Sequence, residues 1–265
     1  MSGTLRVLLI GATGRMGQAL VRASRERPAV RISGAVTHAG SIHLGRDVGE
    51  VAGVGRLGVP VTADVAAALA ECDCAIDFSQ SPATGSNLAA CCAAGKPLLI
   101  GTTGLAAELA PEIERAARHI ALLIAANTSL GVTLLTELVR QAAQSLPLNF
   151  DIEIIEAHHR LKKDAPSGTA LALGHAAAQA RGQELDEVSA LDRKGPRREG
   201  DIGFAVVRGG DIVGDHTVVF AGTGEQVVLS HRATDRNVFA RGALDAAAWL
   251  AGRAPGHYFM RDIIL

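Results

Sequence analysis

The sequence predicts an α/β protein: an N-terminal Rossmann-like domain built on a parallel sheet, with an inserted α+β domain carrying an open mixed or antiparallel sheet. Three observations predict it. The turn IGATGRMG follows the first apolar run and opens a helix. Apolar strands then alternate with alanine-rich helices as far as Asn127, the pattern of a parallel sheet covered on both faces. Beyond Asn127 the rhythm changes, and glycine-separated strands follow one another without helices between them.

Taken in order, LRVLLIGATGRMGQALVRASRER reads as strand, glycine turn and helix. VRISGAV is a second strand, and VGEVAGVGRLGVPVTADVAAALAE a loop and helix. CDCAIDFS is a third strand, SPATGSNLAACCAAG a helix ended by Gly95, and PLLIGTTG a fourth strand. LAAELAPEIERAARH is helical, and IALLIAANTS is the fifth strand. In the second part LGVTLLTELVRQAAQSL is helical, DIEIIEAHH alternates as a strand does, and GTALALGHAAAQARG is a helix. GFAVVRGG, GDHTVVFAGTG and EQVVLSHRA are strands, expected to pair as antiparallel hairpins. FARGALDAAAWLAGR returns to helix. The expected boundaries are 1–127 plus 237–265 for a dinucleotide-binding domain and 128–236 for the inserted domain.

The 265 residues suit one large or two modest domains, and 48% of them are hydrophobic. Basic and acidic residues balance at 26 against 27, which argues against nucleic acid or an anionic membrane as the main partner. The apolar run at the start is too short and too glycine-interrupted for a signal peptide or a membrane span, so a cytoplasmic location is expected. Cys72, Cys74, Cys91 and Cys92 lack paired metal-ligand spacing and read as small buried hydrophobes. No metal is expected.

Gly11, Gly14 and Gly17 stand between an apolar strand and an amphipathic helix. Such glycines allow a tight turn, close approach of backbone to a pyrophosphate, and close helix–strand packing, while the helix start offers N–H groups and partial positive charge. The spacing is G-x-x-G-x-x-G, with Thr13 in the central place. The second strand ends in Thr37 and His38 rather than in the acid that grips an adenosine ribose. No carboxylate there repels a 2′-phosphate, and Arg15, His38 and Ser41 are placed to hold one. NADPH is therefore expected to serve at least as well as NADH; the competing reading makes His38 a solvated loop residue. IGTTG and AANTS follow strands four and five, which brings Gly101, Thr102, Thr103 and the backbone of Ala125, Ala126, Asn127 and Thr128 to the nicotinamide end of the crevice. Phe78, at the end of strand three, reads equally as a cofactor contact or a core aromatic.

Residues 156–170, EAHHRLKKDAPSGTA, pass from a strand through a polar loop into a helix. Ser167 or Thr169 can cap that helix, and the N–H groups of Gly168 and Thr169 then make a carboxylate-sized anion site. His158, His159, Arg160, Lys162 and Lys163 crowd its approach. This many donors suit a small molecule with two carboxylates, and a histidine and a lysine supply protons near neutrality. Blander readings compete: one histidine is structural, or the paired lysines are simply solvated.

The loop EAHHRLKKDAPSGTA, with IGATGRMG, DFS, IGTTG, AANTSLG and GDIVGDHTVVF in the same order, resembles the 4-hydroxy-tetrahydrodipicolinate reductase (dihydrodipicolinate reductase) family over nearly the whole chain. The resemblance implies NAD(P)H-dependent reduction of a cyclic imine dicarboxylate, with loss of its 4-hydroxyl as water, in the diaminopimelate route of lysine biosynthesis. It implies a homotetramer built through the open sheet of the second domain. It places the proton donor/acceptor on His158 and a proton-donating lysine on Lys162. Substrate contacts fall on His159, Gly168 and Thr169. Cofactor contacts fall on Gly11, Ala12, Thr13, Gly14, Arg15 and Met16, on Gly101 to Thr103, and on Ala125 to Thr128. Two positions depart from the pattern. Thr37 and His38 stand where members often carry an acid followed by arginine, and Thr128 replaces a bulkier apolar residue. An amino-acid or semialdehyde dehydrogenase of similar architecture, or a nucleotide-binding regulator, would have no use for this loop.

Overall fold

The computed structural model describes residues 3–192 and 194–265, so the first two residues of the expected N-terminal domain lie outside it. The chain divides into two compact units, Met1–Ser129 with Asn237–Leu265, and Leu130–Arg236.

The first unit runs β1 (Leu5–Ile10), α1 (Arg15–Ser24), β2 (Val30–Val36), α2 (Val48–Ala52), β3 (Val61–Thr62), α3 (Val65–Leu69), β4 (Cys74–Asp77), α4 (Ser81–Ala93), β5 (Leu98–Ile100), α5 (Ala110–Ala117) and β6 (Ala121–Ile124). The second unit holds α6 (Leu130–Ser145), β7 (Asp151–His158), α7 (Gly168–Ala180), α8 (Leu185–Val188), β8 (Ser189–Ala190), β9 (Ile202–Arg208), β10 (Gly214–Gly222) and β11 (Glu225–Ala233). The chain then returns to the first unit as α9 (Asn237–Leu250) and β12 (Gly256–Tyr258).

In the first unit the strands form a seven-stranded parallel sheet in the order β12-β6-β5-β4-β1-β2-β3. Two strands exceed the expected five. β3 is two residues long and β12 three, too short to carry a period of their own; each forms by adding to an edge already set. Strands β1, β4, β5 and β6 are apolar runs because helices cover both faces: Leu8, Leu9, Ile76, Leu98, Leu99, Leu122 and Leu123 are fully buried. Burial of side chains of this size contributes about 1.5–3 kcal/mol each. The order reverses between β1 and β4. In open parallel sheets such a switch point is where ligands bind, at the carboxyl ends of the strands.

The second unit is a five-stranded mixed sheet, β11-β10-β7-β9-β8. Only β10 and β11 form the expected hairpin. GFAVVRGG, as β9, does not pair with the strand that follows it; β7 lies between them, parallel to β9 and antiparallel to β10. The reason is burial. Ile152 and Ile154 of the central strand gain apolar neighbours on both sides, Ile202 and Phe204 in register from β9 and Val218 and Phe220 from β10. Helices α6 and α7 pack on that face. The other face of the sheet presents Ile155, Val207 and Val228, each 40–53% exposed. No helix of the described residues is long and apolar enough to cross a membrane.

Candidate active site

The glycine turn after β1 is closely fixed by its neighbours. Gly11 has φ +82°, and a β-carbon there would lie 2.6 Å from the Phe78 carbonyl oxygen, so only glycine fits. The N–H groups of Gly11 and Ala12 both donate to the Val36 carbonyl at 2.9 Å, which ties the turn to β2. Helix α1 starts at Arg15 behind Gly14; no side chain caps it and no acid sits in its first turn. An uncapped, acid-free helix start at the switch point fits the pyrophosphate of a dinucleotide. Ala12 is buried, Thr13 and Met16 are half-buried, and Gly14 and Arg15 are exposed.

At the end of β2, the Thr37 and Thr13 hydroxyls hydrogen-bond each other at 2.8 Å, so the pocket wall offers a neutral pair where an acid would grip a ribose. His38 beyond it is exposed, and Ser41 is half-buried. Asp77 is fully buried, accepting from Ser79 N–H at 2.7 Å and Asn87 Nδ2 at 2.9 Å. It fixes the loop after β4. Against that loop sit Gly101 and Thr102, the latter donating to the Ser79 carbonyl at 3.3 Å, while Thr103 is exposed. The Phe78 ring covers Gly101 so closely that a β-carbon there would lie 2.2 Å from it. After β6, Ala125 is buried and Ala126 exposed. Asn127 turns its side-chain oxygen to Ser129 N–H. The Thr128 hydroxyl donates to the Phe239 carbonyl at 2.6 Å, so that side chain faces α9.

In the second unit the core-facing stripe of β7 reads Ile152, Ile154, Glu156, His158: two apolar residues, then two chemical ones on the same face. Glu156 is 1% exposed. Its carboxylate accepts from both terminal nitrogens of Arg208 at 2.7 and 2.8 Å, from Ser167 N–H at 3.0 Å and meets His158 Nδ1 at 2.6 Å. Burial raises the Glu156 pKa, but the bonds from Arg208, His158 and Ser167 outweigh it and hold the carboxyl below its ordinary range. One carboxylate thus joins the end of β7, the end of β9 and the start of α7. Ser167 is the cap of that helix, its hydroxyl accepting from Ala170 N–H at 3.2 Å. Gly168 and half-buried Thr169 form the first turn, with no acid beside them. The Ala165–Pro166 peptide leading into it is cis.

Lys162 Nζ donates to both oxygens of Asp164 at 2.8 Å, and its hydrogen bond draws the Asp164 carboxyl below the usual range. Arg208 also donates to the Asp164 carbonyl at 2.6 Å, so one guanidinium secures both the lysine loop and Glu156. His159 lies just beyond β7; desolvation, then the positive charges of Arg236, His158, Lys162 and Arg208, depress its pKa. Arg160 and Lys163 are exposed.

Three participants escaped the reading of the sequence: Glu156 as an anchor, Arg208 and His216. His216 is buried and hydrogen-bonds the Ser167 hydroxyl through Nε2 at 3.1 Å. Its ring meets that of His158 edge to face with centroids 5.1 Å apart. Burial pushes its pKa down to about 4. Glu156 and His216 each carried a signal, a polar residue at an inward position of an alternating apolar run. Arg208 had none, because it meets Glu156 only through the parallel pairing of β9 with β7. Among the described residues no group of three or more His, Cys, Asp or Glu is gathered to hold a metal ion. The buried Cys74 and Cys91 thiols have pKa values pushed up by desolvation.

Comparison with known proteins matches residues 5–128 to the family model of dihydrodipicolinate reductase, N-terminus, and residues 131–264 to its C-terminus counterpart. The chain is 50% identical over 264 residues to the 4-hydroxy-tetrahydrodipicolinate reductase of Halorhodospira halophila, covering 98% of this chain and 99% of the relative. It is 51% identical over 261 residues to that of Ruegeria pomeroyi, covering 97% of each. Among solved structures, the dipicolinate-bound dihydrodipicolinate reductase from Paenisporosarcina sp. TG-14 shares the fold with a TM-score of 0.80 at 22% identity, over 99% of this chain and 100% of that one. An amine dehydrogenase from Mycobacterium smegmatis is a more distant fold neighbour, with a TM-score of 0.61 at 14% identity over 98% and 96% of the two chains.

Proposed function

The chain belongs to the dihydrodipicolinate reductase family, and from that premise we propose that it reduces (2S,4S)-4-hydroxy-2,3,4,5-tetrahydrodipicolinate to tetrahydrodipicolinate with loss of water, on the diaminopimelate route to lysine. The chain is an oxidoreductase of a nicotinamide-dependent family; the proposal adds the substrate, the cofactor preference and the residues that act. The observation that carries it is the knot around Glu156, which draws His158, the Lys162 loop and the start of α7 into one cluster.

A bound reduced nicotinamide supplies the hydride. The 4-hydroxyl leaves as water with a proton from C5, giving a double bond conjugated with the imine. Hydride adds at C4, that double bond shifts to C5=C6, and the imine pair moves onto the ring nitrogen. One proton then completes the product, so each turnover consumes one hydride and one proton and releases one water. His158 and Lys162 are the donors of that proton, and the ammonium also stabilises the charge growing on the ring. The amides of Gly168 and Thr169 take one ring carboxylate at the helix start, as in other helix N-terminal anion sites, and His159 with Lys162 faces the other polar groups.

In the first unit, residues 11–16, 101–103 and 125–128 hold the cofactor. NADPH serves at least as well as NADH, because the neutral Thr13–Thr37 pair repels no 2′-phosphate and the nearby sequence offers Arg15, His38 and Ser41 to hold one. The apolar open face with Ile155, Val207 and Val228 supports self-association, proposed as a homotetramer. The test is oxidation of NADPH by substrate generated in the cuvette, with 2,6-pyridinedicarboxylate as inhibitor. Substrate-dependent oxidation inhibited by the planar dicarboxylate is the expected result; no oxidation, or indifference to the dicarboxylate, rejects the assignment.

A further inference from the structure

Glu156 is bonded by Arg208, His158 and Ser167, yet no step of the reaction uses it. Its carboxylate has no surface exposure and sits within an ion pair that itself is mostly buried. Breaking one partner out of such a pair leaves a buried charge, which is strongly destabilising. Retention of this arrangement beside His158 calls for a reason beyond stability. The geometry supplies one. A carboxylate doubly held by Arg208 stays ionised and only accepts hydrogen bonds. The short contact at 2.6 Å therefore makes His158 Nδ1 the donor. The other ring nitrogen is then the one left to exchange a proton. On β10 Gly214 stands opposite that nitrogen: a β-carbon there would lie 3.0 Å from His158 Nε2. His216, the ring in edge contact, is kept neutral near pH 7 and adds no competing positive charge.

We propose that Glu156, locked by Arg208, is a positioning residue that fixes His158 with Nδ1 bound to the protein and Nε2 facing the chemistry. The inference rests on the proposed role of His158 in proton transfer. The charged and titratable groups around that ring are Glu156 on its own strand, Arg208 on β9, His216 on β10, and His159, Lys162 and Asp164 from the loop.

Two measurements test it. In the wild-type enzyme labelled with 15N-histidine, with the His158 signals assigned through His158→Asn, the neutral ring is expected to carry its proton on Nδ1. A ring protonated on Nε2 overturns the proposal, and this reading does not depend on any Glu156 variant folding. In kinetics, Glu156→Gln is expected to lower kcat by roughly 10–100-fold, the range for the orienting partner of a functional histidine, with both KM values within about threefold of wild type. Glu156→Asp, which keeps the carboxylate, is expected to recover part of that loss. Wild-type kcat in Glu156→Gln overturns the proposal. If His158→Asn loses turnover while Glu156→Gln keeps it, positioning alone fails; if His158→Asn itself turns over normally, the proton-transfer reading fails with it.

Discussion

Replacing His216 by glutamine tests the electrostatics of the second unit. In the folded protein burial holds the His216 pKa at about 4, against 6.5 for a free imidazole. The ring is buried at 4% exposure, so solvent screening is small. The folded pKa is lowered, so the unfolded chain binds a proton that the folded one refuses. Stability therefore falls as pH drops from 6.5 to about 4, by about 1.4 kcal/mol per pH unit, or about 3 kcal/mol over the window. Above 6.5 both states are neutral and the contribution is flat. The single tryptophan, Trp249, lies in α9 of the first unit, so its fluorescence is the wrong probe. Hydrogen exchange of peptides covering β7 and β10, corrected for intrinsic rates, reads the right region. Between pH 6.5 and 4 the wild type should lose about two powers of ten more protection there than His216→Gln. Parallel losses in both proteins would refute the reasoning.

Two further outcomes follow from the geometry. Ser167→Ala removes the hydroxyl that caps α7 and meets His216; a loss of about 0.5–2 kcal/mol is expected in urea unfolding followed by circular dichroism, and an unchanged midpoint would deny the cap its role. Thr37→Asp replaces half of the Thr13–Thr37 pair with a carboxylate, and should cut kcat/KM for NADPH by roughly tenfold or more relative to NADH, the size of a 1.4 kcal/mol repulsion; an unaltered ratio would show that the 2′-phosphate lies elsewhere.

Local features carried most of the fold in the sequence. The glycine turn after β1, the apolar parallel strands and the serine-capped start of α7 all announce themselves within a dozen residues. Pairing of β9 did not, since the chain gives no local mark of which edge of β7 a strand will take. The same limit governed the site. His158, His159, Lys162, Gly168 and Thr169 fall within one short stretch, from the end of β7 to the first turn of α7, and were legible as a group. Arg208 meets Glu156 from 52 residues away, through the register of β9 on β7. Glu156 opens the stretch 156–170, yet the sequence reading gave it no role. Its position in the Ile152–Ile154 stripe was the missed clue, because a carboxylate at an inward strand position must have a partner.

The most direct test is steady-state turnover of His158→Ala and Lys162→Ala with saturating NADPH and 4-hydroxy-tetrahydrodipicolinate. Both variants should fold as the wild type does and lose roughly a hundredfold or more in kcat, as expected when a general acid is removed. Near-wild-type rates in both would contradict the assignment of this loop to proton transfer.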